Sequence, residues 1–358
     1  MKVHTAAGCG PFFEQRMGLR VLGHDPALPG SDSLERLLDE ADVLLFAVPI
    51  RRTVEVVDAC VARSEGREHG RLWLDITSIK QAPVAAMLCS QAEVVGLHPM
   101  VAPPKAPTLK GRVLVICEAR LGVWRGWVAQ LLDALQAECV RVSPEHHDRG
   151  MALIQAMVHA THLAQAGVLR EYAPALGPPP ALLPLRTASF ELDVAVMARI
   201  LSLNPQIYED IQFGNPYAID VLDRLLGELR ALRGLLTAGD EGARARFRQR
   251  FIHDNRDLFG TDALTEGNYT FERVGYLLAD LVESPALSVH LSEDRAGALR
   301  ALLGVFERHH LNLASIHSSR TPAGEVHFRI SFGGDVDRQA LATASAEIDA
   351  TGTGRVLP

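Results

Sequence analysis

The chain has 358 residues, of which 47% are hydrophobic and 22% charged, and this globular composition and length predict two or three domains. The net charge of −7 disfavours a nucleic-acid-binding surface, because phosphate neutralisation needs clustered Lys and Arg. No apolar run approaches the roughly 20 residues of a membrane helix, and no apolar leader opens the sequence. Five cysteines without CxxC spacing predict buried, reduced thiols in a cytoplasmic protein.

Residues 1–142 alternate short apolar runs with amphipathic ones. The apolar runs lie at 20–23, 42–49, 72–75, 94–97 and 113–116, with helical patterns at 54–63 and 123–135. Near-continuous apolar runs are typical of parallel strands that are covered on both faces. We therefore predict a doubly wound, Rossmann-like parallel sheet.

Residues 143–283 lack strand signals and carry long helical patterns instead. We predict helices over 147–172, 189–203, 207–214 and 217–238, with another after Asp240. The block holds more Leu, Ala and Val than one small bundle hides, which predicts a helical interface shared by two subunits of a homodimer.

Residues 286–358 return to mixed patterns. Strands are predicted at 288–291, 313–319, 326–332 and 355–357, and helices at 296–309 and 337–349. The resulting βαββαβ order indicates a ferredoxin-like module.

Three stretches carry residues suited to chemistry. His98 follows a buried strand, at the sheet edge where ligands bind in open α/β folds, and its imidazole can take a proton from a hydroxyl. Ser78 leaves the preceding strand toward the same edge, and Arg199 ends an apolar helical run with a guanidinium that suits a carboxylate. The alternatives are a packed loop histidine, a helix cap and a surface arginine.

Taken together, these stretches resemble the prephenate dehydrogenase family. The matching motifs are GLHPM, the D-x-x-S-x-K stretch, SPEHHDRGMALIQAMVHATH, and VMARIL-x-x-NPQIYEDI, in the family's order from about residue 20 to about residue 260. The resemblance implies oxidative decarboxylation of prephenate to 4-hydroxyphenylpyruvate, a step toward tyrosine, with NAD accepting a hydride.

The resemblance also assigns roles. His98 matches the catalytic histidine, Ser78 the serine that hydrogen-bonds the substrate hydroxyl and the histidine, and Arg199 the arginine that binds a substrate carboxylate. Pro49 and Ser78 are expected to line the cofactor site as well. On the matching helix, packing or helix–helix hydrogen bonds are the favoured roles of His147, Gln155, His159 and His162.

The C-terminal module resembles the ACT domain through DRAGAL and HLNLASI. The resemblance implies an effector site formed by Asp294, Gly297, Ala298, Leu299 and Asn312, with feedback control by tyrosine or another aromatic amino acid. A module that only dimerises is the alternative.

The opening MKVHTAAGCGPFF departs from the G-x-G-x-x-G cofactor fingerprint. Residues 1–5 give a short, partly polar first strand, and Gly8 and Gly10 are the glycines that remain for the phosphate turn. Asp25 sits where an acid accepts hydrogen bonds from the adenosine ribose, which favours NAD over NADP. Either the chain starts downstream of the natural start or the cofactor site has diverged. We expect weakened pyrophosphate contacts with an intact fold.

Other functions stay open at this stage. An arogenate dehydrogenase would use the same motifs, and a non-catalytic regulator would bind prephenate or an aromatic amino acid without turnover. A β-hydroxyacid dehydrogenase would commonly use a catalytic lysine in the helical block, for which we see no motif. The sequence predicts no metal site, since His146 and His147 are adjacent and do not share a helix face.

Overall fold

The computed structural model describes residues 2–4, 10–101, 108–281, 285–291, 295–320 and 326–357. The chain divides into two compact units, residues 1–234 and 235–358. The first holds a seven-stranded sheet and most of the helical block, and the second holds the remaining helices and a four-stranded sheet.

The elements of the first sheet follow one another in chain order: β1 (Lys2–His4), α1 (Gly10–Met17), β2 (Arg20–Leu22), α2 (Leu34–Glu40), β3 (Val43–Phe46), α3 (Ile50–Ser64), β4 (Leu72–Asp75), α4 (Gln81–Leu88), β5 (Glu93–Pro99), β6 (Val113–Arg120), α5 (Arg125–Leu135) and β7 (Glu138–Arg141). The strand order is β2-β1-β3-β4-β5-β6-β7. The predicted Rossmann-like sheet is confirmed.

One pairing differs from the all-parallel prediction. β6 runs antiparallel to β5, with His98 opposite Val115, whereas the other neighbouring pairs are parallel. A parallel return needs a crossover, usually a helix, and a buried apolar run reads the same in either direction. The direction of β6 could therefore not be read from its composition.

Alternating side chains of the central strands fill two apolar layers, one on each face of the sheet. Leu45 of β3 and Leu74 of β4 point into one layer, while Phe46 and Trp73 point into the other, with ring centroids 5.4 Å apart. Complete burial of such a side chain stabilises the fold by about 1.5–3 kcal/mol. The two layers explain why these strands are continuous apolar runs.

The short first strand is present and lies inside the sheet. Val3 of β1 pairs in parallel register with Val21 of β2 and with Val43 of β3. Gly10 is the first residue of α1, and Gly8 lies outside the described residues. The expectation of weakened pyrophosphate contacts stays a prediction.

The helical block comprises α6 (Pro144–Met151), a π-helical segment (Ala152–Met157), α7 (Val158–Leu176), α8 (Pro179–Leu182), a 3₁₀ turn (Leu183–Leu185), α9 (Ala188–Ser202), α10 (Pro205–Gly214) and α11 (Ala218–Ala238). The predicted helix over 147–172 thus begins earlier, at Pro144, and contains a π-helical turn. Ser143 caps its start by accepting a hydrogen bond from the His146 amide (3.1 Å).

Many large apolar side chains of the helical block are exposed. They include Val168, Tyr172 and Leu176 of α7 and Leu229 of α11. In the part of the chain that the structure describes, every helix is too short or too polar to cross a membrane.

The second unit continues with α12 (Glu241–Phe247), a π-helical segment (Arg248–His253), α13 (Asp254–Leu281), β8 (Ala286–Leu291), α14 (Ala298–Arg308), β9 (Leu313–Arg320), β10 (Val326–Phe332), α15 (Arg338–Ala350) and β11 (Arg355–Leu357). The four strands form an antiparallel sheet in the order β11-β8-β10-β9. The predicted βαββαβ module is confirmed, and Phe306 of α14 packs on Phe332 of β10 in its core.

The described cysteines are free but are not all buried. Cys60 and Cys117 are buried, Cys139 is half-buried, and Cys89 is exposed at the end of α4. The expectation of uniformly buried thiols was wrong for Cys89, because its helix turns that position toward solvent.

Candidate active site

His98 lies near the end of β5, at the edge of the sheet. The pairing of β4 with β5 ends at Asp75 and Gly96, so His98 lies two residues beyond it, where strand ends face a ligand crevice. The side chain is only 3% exposed. The sequence placed His98 just past this strand, and β5 instead extends through Pro99 and contains it near its carboxyl end.

His98 is the first member of a buried chain of three side chains. Its Nδ1 lies 2.8 Å from His147 Nε2, and His147 Nδ1 lies 2.7 Å from Asp148 Oδ1. His147 and Asp148 come from α6, which sets His147 against the end of β5. The sequence favoured packing or helix–helix hydrogen bonds for His147, and the structure gives it a hydrogen bond to His98 of β5.

The carboxylate of Asp148 fixes the tautomers of both rings. An ionised carboxylate only accepts hydrogen bonds, so His147 carries its hydrogen on Nδ1 and presents a lone pair at Nε2. His98 must then donate from Nδ1, which leaves a lone pair on its Nε2, where the Gln155 amide nitrogen lies 3.5 Å away. The atom of His98 that can take a proton is therefore Nε2.

The surroundings keep His98 neutral. Burial is the largest cause, followed by the nearby His147 and Lys80, and together they lower the pKa of His98 to about 2. A neutral imidazole at ordinary pH is the form that a general base requires.

Asp148 also joins the elements that surround the two histidines. Its carboxylate accepts hydrogen bonds from the amides of Lys80 (2.8 Å) and Gln81 (2.9 Å) at the start of α4. Its carbonyl oxygen accepts one from Asn215 Nδ2 (2.8 Å), which follows α10. The fully buried Asp148 thus ties together α4, α6 and the end of α10.

A buried ion pair joins the end of β4 to the residue that precedes α4. Lys80 and Asp75 pair with both side chains fully buried, and Asp75 Oδ2 also accepts hydrogen bonds from the Thr77 amide (3.1 Å) and hydroxyl (2.6 Å). Gly96 makes room for the pair, because a Cβ there would meet Lys80 Cδ at 3.0 Å and Asp75 Oδ1 at 3.1 Å. Any larger residue at 96 would disturb the pair.

The roles that the family resemblance implies for Ser78 and Arg199 involve a bound substrate and stay predictions. Ser78 is half-buried in the loop after β4, and its hydroxyl has no hydrogen-bond partner among the described residues. The observed partner of His98 is His147. Arg199 is exposed in the last turn of α9, and its guanidinium makes no ion pair with any described carboxylate. Among the described residues, His98 forms its hydrogen bonds with His147 and Gln155 and not with Ser78 or Arg199.

The π-helical segment after α6 carries further polar groups toward His98. Gln155 Nε2 lies 3.5 Å from His98 Nε2, and the buried Gln155 Oε1 has no hydrogen-bond partner among the described residues. One turn on, His159 packs on Tyr208 with ring centroids 4.9 Å apart, and its buried Nδ1 is also without a described partner. Single π-helical turns are frequent at functional sites. His162 makes the predicted helix–helix contact, with Nε2 3.4 Å from Asp193 Oδ1.

The described residues that were predicted to bind the cofactor lie where a dinucleotide could bind. The strand order reverses between β1 and β3, and dinucleotides bind at such a reversal. Asp25 lies exposed just after β2, and its Oδ1 accepts a hydrogen bond from the Ala27 amide (2.9 Å). Pro49 precedes the first turn of α3, which has no side-chain cap, and Gly10 opens α1.

Three of the predicted effector residues, Gly297, Ala298 and Leu299, lie at the start of α14. Gly297 has φ +92° and precedes the helix, a left-handed conformation that favours glycine. Ala298 packs against the core of the small sheet, whereas Leu299 and Asn312 are exposed. Asp294 lies outside the described residues. Among the described residues, no cluster of His, Cys, Asp and Glu is arranged to hold a metal ion.

Three family models match the chain. The nucleotide-binding domain of prephenate dehydrogenase matches residues 30–142, the dimerization domain of prephenate dehydrogenase matches 143–250, and the ACT domain matches 286–347. The first two matches meet at the start of α6, so His98 and its partners His147 and Asp148 lie on the two sides of that junction.

Individual relatives agree with these models. The chain is 30% identical to the T-protein of Enterobacter agglomerans over 216 residues, which are 58% of this chain and 54% of that protein. It is 30% identical to the 4-amino-4-deoxyprephenate dehydrogenase of Streptomyces pristinaespiralis over 237 residues, 63% of this chain and 73% of that protein. The chain thus spans about half the length of the T-protein that it matches.

A solved structure shares the fold. Prephenate dehydrogenase from A. aeolicus, in complex with hydroxyphenyl propionate and NAD+, superimposes with a TM-score of 0.55 at 17% identity, covering 71% of this chain and 96% of that one. At this identity the likeness concerns the fold alone.

Proposed function

Because the chain belongs to the prephenate dehydrogenase family, we propose that it oxidatively decarboxylates prephenate to 4-hydroxyphenylpyruvate with NAD, in the biosynthesis of tyrosine. The observation that carries the proposal is the chain His98–His147–Asp148, with distances of 2.8 and 2.7 Å. It leaves a neutral, buried imidazole whose Nε2 lone pair can take a proton from a ring hydroxyl.

His98 acts as the general base in this proposal. Loss of a hydride from the hydroxyl-bearing ring carbon builds carbonyl character there, and removal of the hydroxyl proton by His98 Nε2 makes that loss easier. Loss of CO₂ then leaves an aromatic ring and draws the reaction forward. Ser78, in the loop beside β5, and Gln155 are proposed to orient the hydroxyl.

NAD, when bound, accepts the hydride. Asp25 would hold the adenosine ribose and disfavour the 2′-phosphate of NADP, and Pro49, Ser78, Gly8 and Gly10 would line the rest of the site. The exposed carboxylate of Asp25 after β2 and the reversal of strand order beside β1 support this assignment.

Arg199 is proposed to bind a substrate carboxylate. It has no described ion-pair partner, and a guanidinium offers a carboxylate two parallel hydrogen bonds. The exposed apolar side chains of α7 and α11 support a homodimer built through the helical block. We place the protein in the cytoplasm.

The ACT module is proposed to bind an aromatic amino acid, with tyrosine as the expected effector. The left-handed Gly297 leaves the backbone at the start of α14 open to a small ligand, and Asn312 and Leu299 are exposed beside the same sheet. Asp294 and Ala298 complete the proposed site.

Two other substrates compete with prephenate. Arogenate carries an amino group on its side chain, and the relative from Streptomyces pristinaespiralis is named for a substrate with a 4-amino group in place of the hydroxyl. Initial rates on prephenate, arogenate and 4-amino-4-deoxyprephenate, each with NAD and with NADP, separate the three. We expect the highest kcat/KM for prephenate with NAD.

The short β1 favours one further reading, a regulator that binds ligands without turnover. Calorimetric titration with NAD in the absence of substrate distinguishes it from the enzyme. Micromolar binding supports the dehydrogenase, whereas absent binding together with absent turnover of all three substrates contradicts it.

A further inference from the structure

The two buried histidines of the site differ in what they can do with a positive charge. The ring nitrogens of His98 contact His147 Nε2 at 2.8 Å and Gln155 Nε2 at 3.5 Å, and neither atom is anionic. His147, in contrast, has Asp148 Oδ1 at 2.7 Å from its Nδ1. A carboxylate at this distance stabilises an imidazolium through a charge-assisted hydrogen bond.

The other ionisable groups around the pair do not offset this difference. The Lys80 ammonium opposes a positive charge on His98 and lowers its pKa, in addition to burial and His147. Asp75 is already paired with Lys80, and burial raises the pKa of the Cys117 thiol to about 12, so it is uncharged near neutrality. Asp148 is therefore the described carboxylate that can balance a charge on either ring.

We propose that His147, and not His98, holds the positive charge after the substrate hydroxyl gives up its proton. The substrate O–H bond breaks as His98 Nε2 gains a hydrogen, and the hydrogen on His98 Nδ1 moves to His147 Nε2. His98 ends as the neutral Nε2–H tautomer, and His147 ends as an imidazolium against the Asp148 carboxylate. The proposal rests on the proposed function, because it assumes that a substrate proton reaches His98.

This arrangement makes His147 and Asp148 positioning residues that act through His98. Both are buried, with 2% and 0% exposure, and their hydrogen bonds go to other protein atoms. Their influence should appear in the pH dependence of turnover, because both act on the proton that His98 receives.

The test compares pH profiles of kcat for the full-length protein, the variants His147→Gln and Asp148→Asn, and the control His146→Gln. Glutamine at 147 still accepts a hydrogen bond from His98 but cannot be protonated. Position 146 is adjacent, exposed and not in contact with His98. We expect His147→Gln to lower the plateau of kcat on the order of 100-fold with KM and NAD affinity nearly unchanged.

The distinguishing readout is the acidic limb of the profile. In His147→Gln the extra proton can reside only on His98, so the limb should move to lower pH by about one unit or more. Asp148→Asn should move it in the same direction, and His146→Gln should leave both rate and profile unchanged. A lower plateau with an unmoved limb would mean a purely structural role and would overturn the proposal.

A second measurement keeps failure of the proposal separate from failure of the proposed function. Nitrogen-15 NMR of the histidine rings, assigned with His98→Gln and His147→Gln, follows an acid titration without substrate. Protonation first at His147 supports the inference even if prephenate is not the substrate. Protonation first at His98 overturns it even if the wild-type protein turns over prephenate.

Discussion

The buried ion pair between Lys80 and Asp75 allows a quantitative test of how the site is held. Both side chains are fully buried, and Asp75 Oδ1 has no hydrogen-bond partner among the described residues. Replacing Lys80 by Met leaves an uncompensated carboxylate with only Thr77 to bond it. Removal of one partner of such a pair typically costs about 3–5 kcal/mol, and we expect a loss of that size in the free energy of unfolding.

The double variant Lys80→Met, Asp75→Leu separates the pair from its parts. Since replacing both charges by apolar groups removes the stranded charge, it should be less destabilised than Lys80→Met, by about 2 kcal/mol or more. The Thr77 hydrogen bonds to Asp75 are still lost, which costs about 0.5–1.5 kcal/mol each.

Urea unfolding followed by tryptophan fluorescence measures these differences in unfolding free energy in the part of the chain that holds the ion pair. The three tryptophans, Trp73, Trp124 and Trp127, all lie in the region of the first sheet. Lys110 is exposed, so Lys110→Met is the matched control and should change stability by less than about 0.5 kcal/mol. Equal stability of the single and double variants would refute the reasoning.

Three further predictions follow from described contacts. Gly96→Ala should lower the free energy of unfolding by about 1–3 kcal/mol, because the new Cβ would meet Val84 Cγ2 at 2.9 Å. The control Gly126→Ala adds a Cβ in open space and should not be destabilised. Urea unfolding midpoints compare the two variants, and equal midpoints would contradict the predicted clash at position 96. Because burial lowers the pKa of His98 to about 2, the unfolded chain binds a proton below about pH 6.5 that the native chain does not. The free energy of unfolding should therefore fall by up to about 1.4 kcal/mol per pH unit as the pH drops below that value. The fall should be less steep in His98→Gln. Equal slopes of unfolding free energy against pH in the two proteins would rule out a contribution from His98. Asp25→Ala should raise the affinity for NADP relative to NAD by about tenfold in calorimetric titrations, and an unchanged ratio would remove Asp25 from the ribose site.

Much of the fold could be predicted from local patterns. Runs such as residues 72–75 are buried on both faces, so their apolar character is continuous and easily recognised. β7 gave no such signal, because Glu138–Arg141 is an edge strand with mostly exposed side chains. The pairing direction of β6 depends on the connection before it and not on its residues.

The site was only partly predictable. The location of His98 follows from its place at a strand end, but its partner depends on how α6 docks, and that is a property of the packed structure. His147 could have been singled out by its acidic neighbour Asp148, since a histidine beside a carboxylate is a common positioning arrangement. Ser78 was expected to hydrogen-bond the substrate hydroxyl and His98; its hydroxyl has no partner among the described residues, and its role toward substrate stays a prediction.

The central claim is that His98 removes the substrate proton in an NAD-dependent oxidation. Single-turnover formation of reduced nicotinamide, with saturating prephenate and NAD, compares the wild-type protein with His98→Gln. The account predicts rapid formation by the wild type and a rate lower by about 10²–10⁴-fold in the variant, with NAD affinity unchanged. A variant that transfers hydride at the wild-type rate would contradict it.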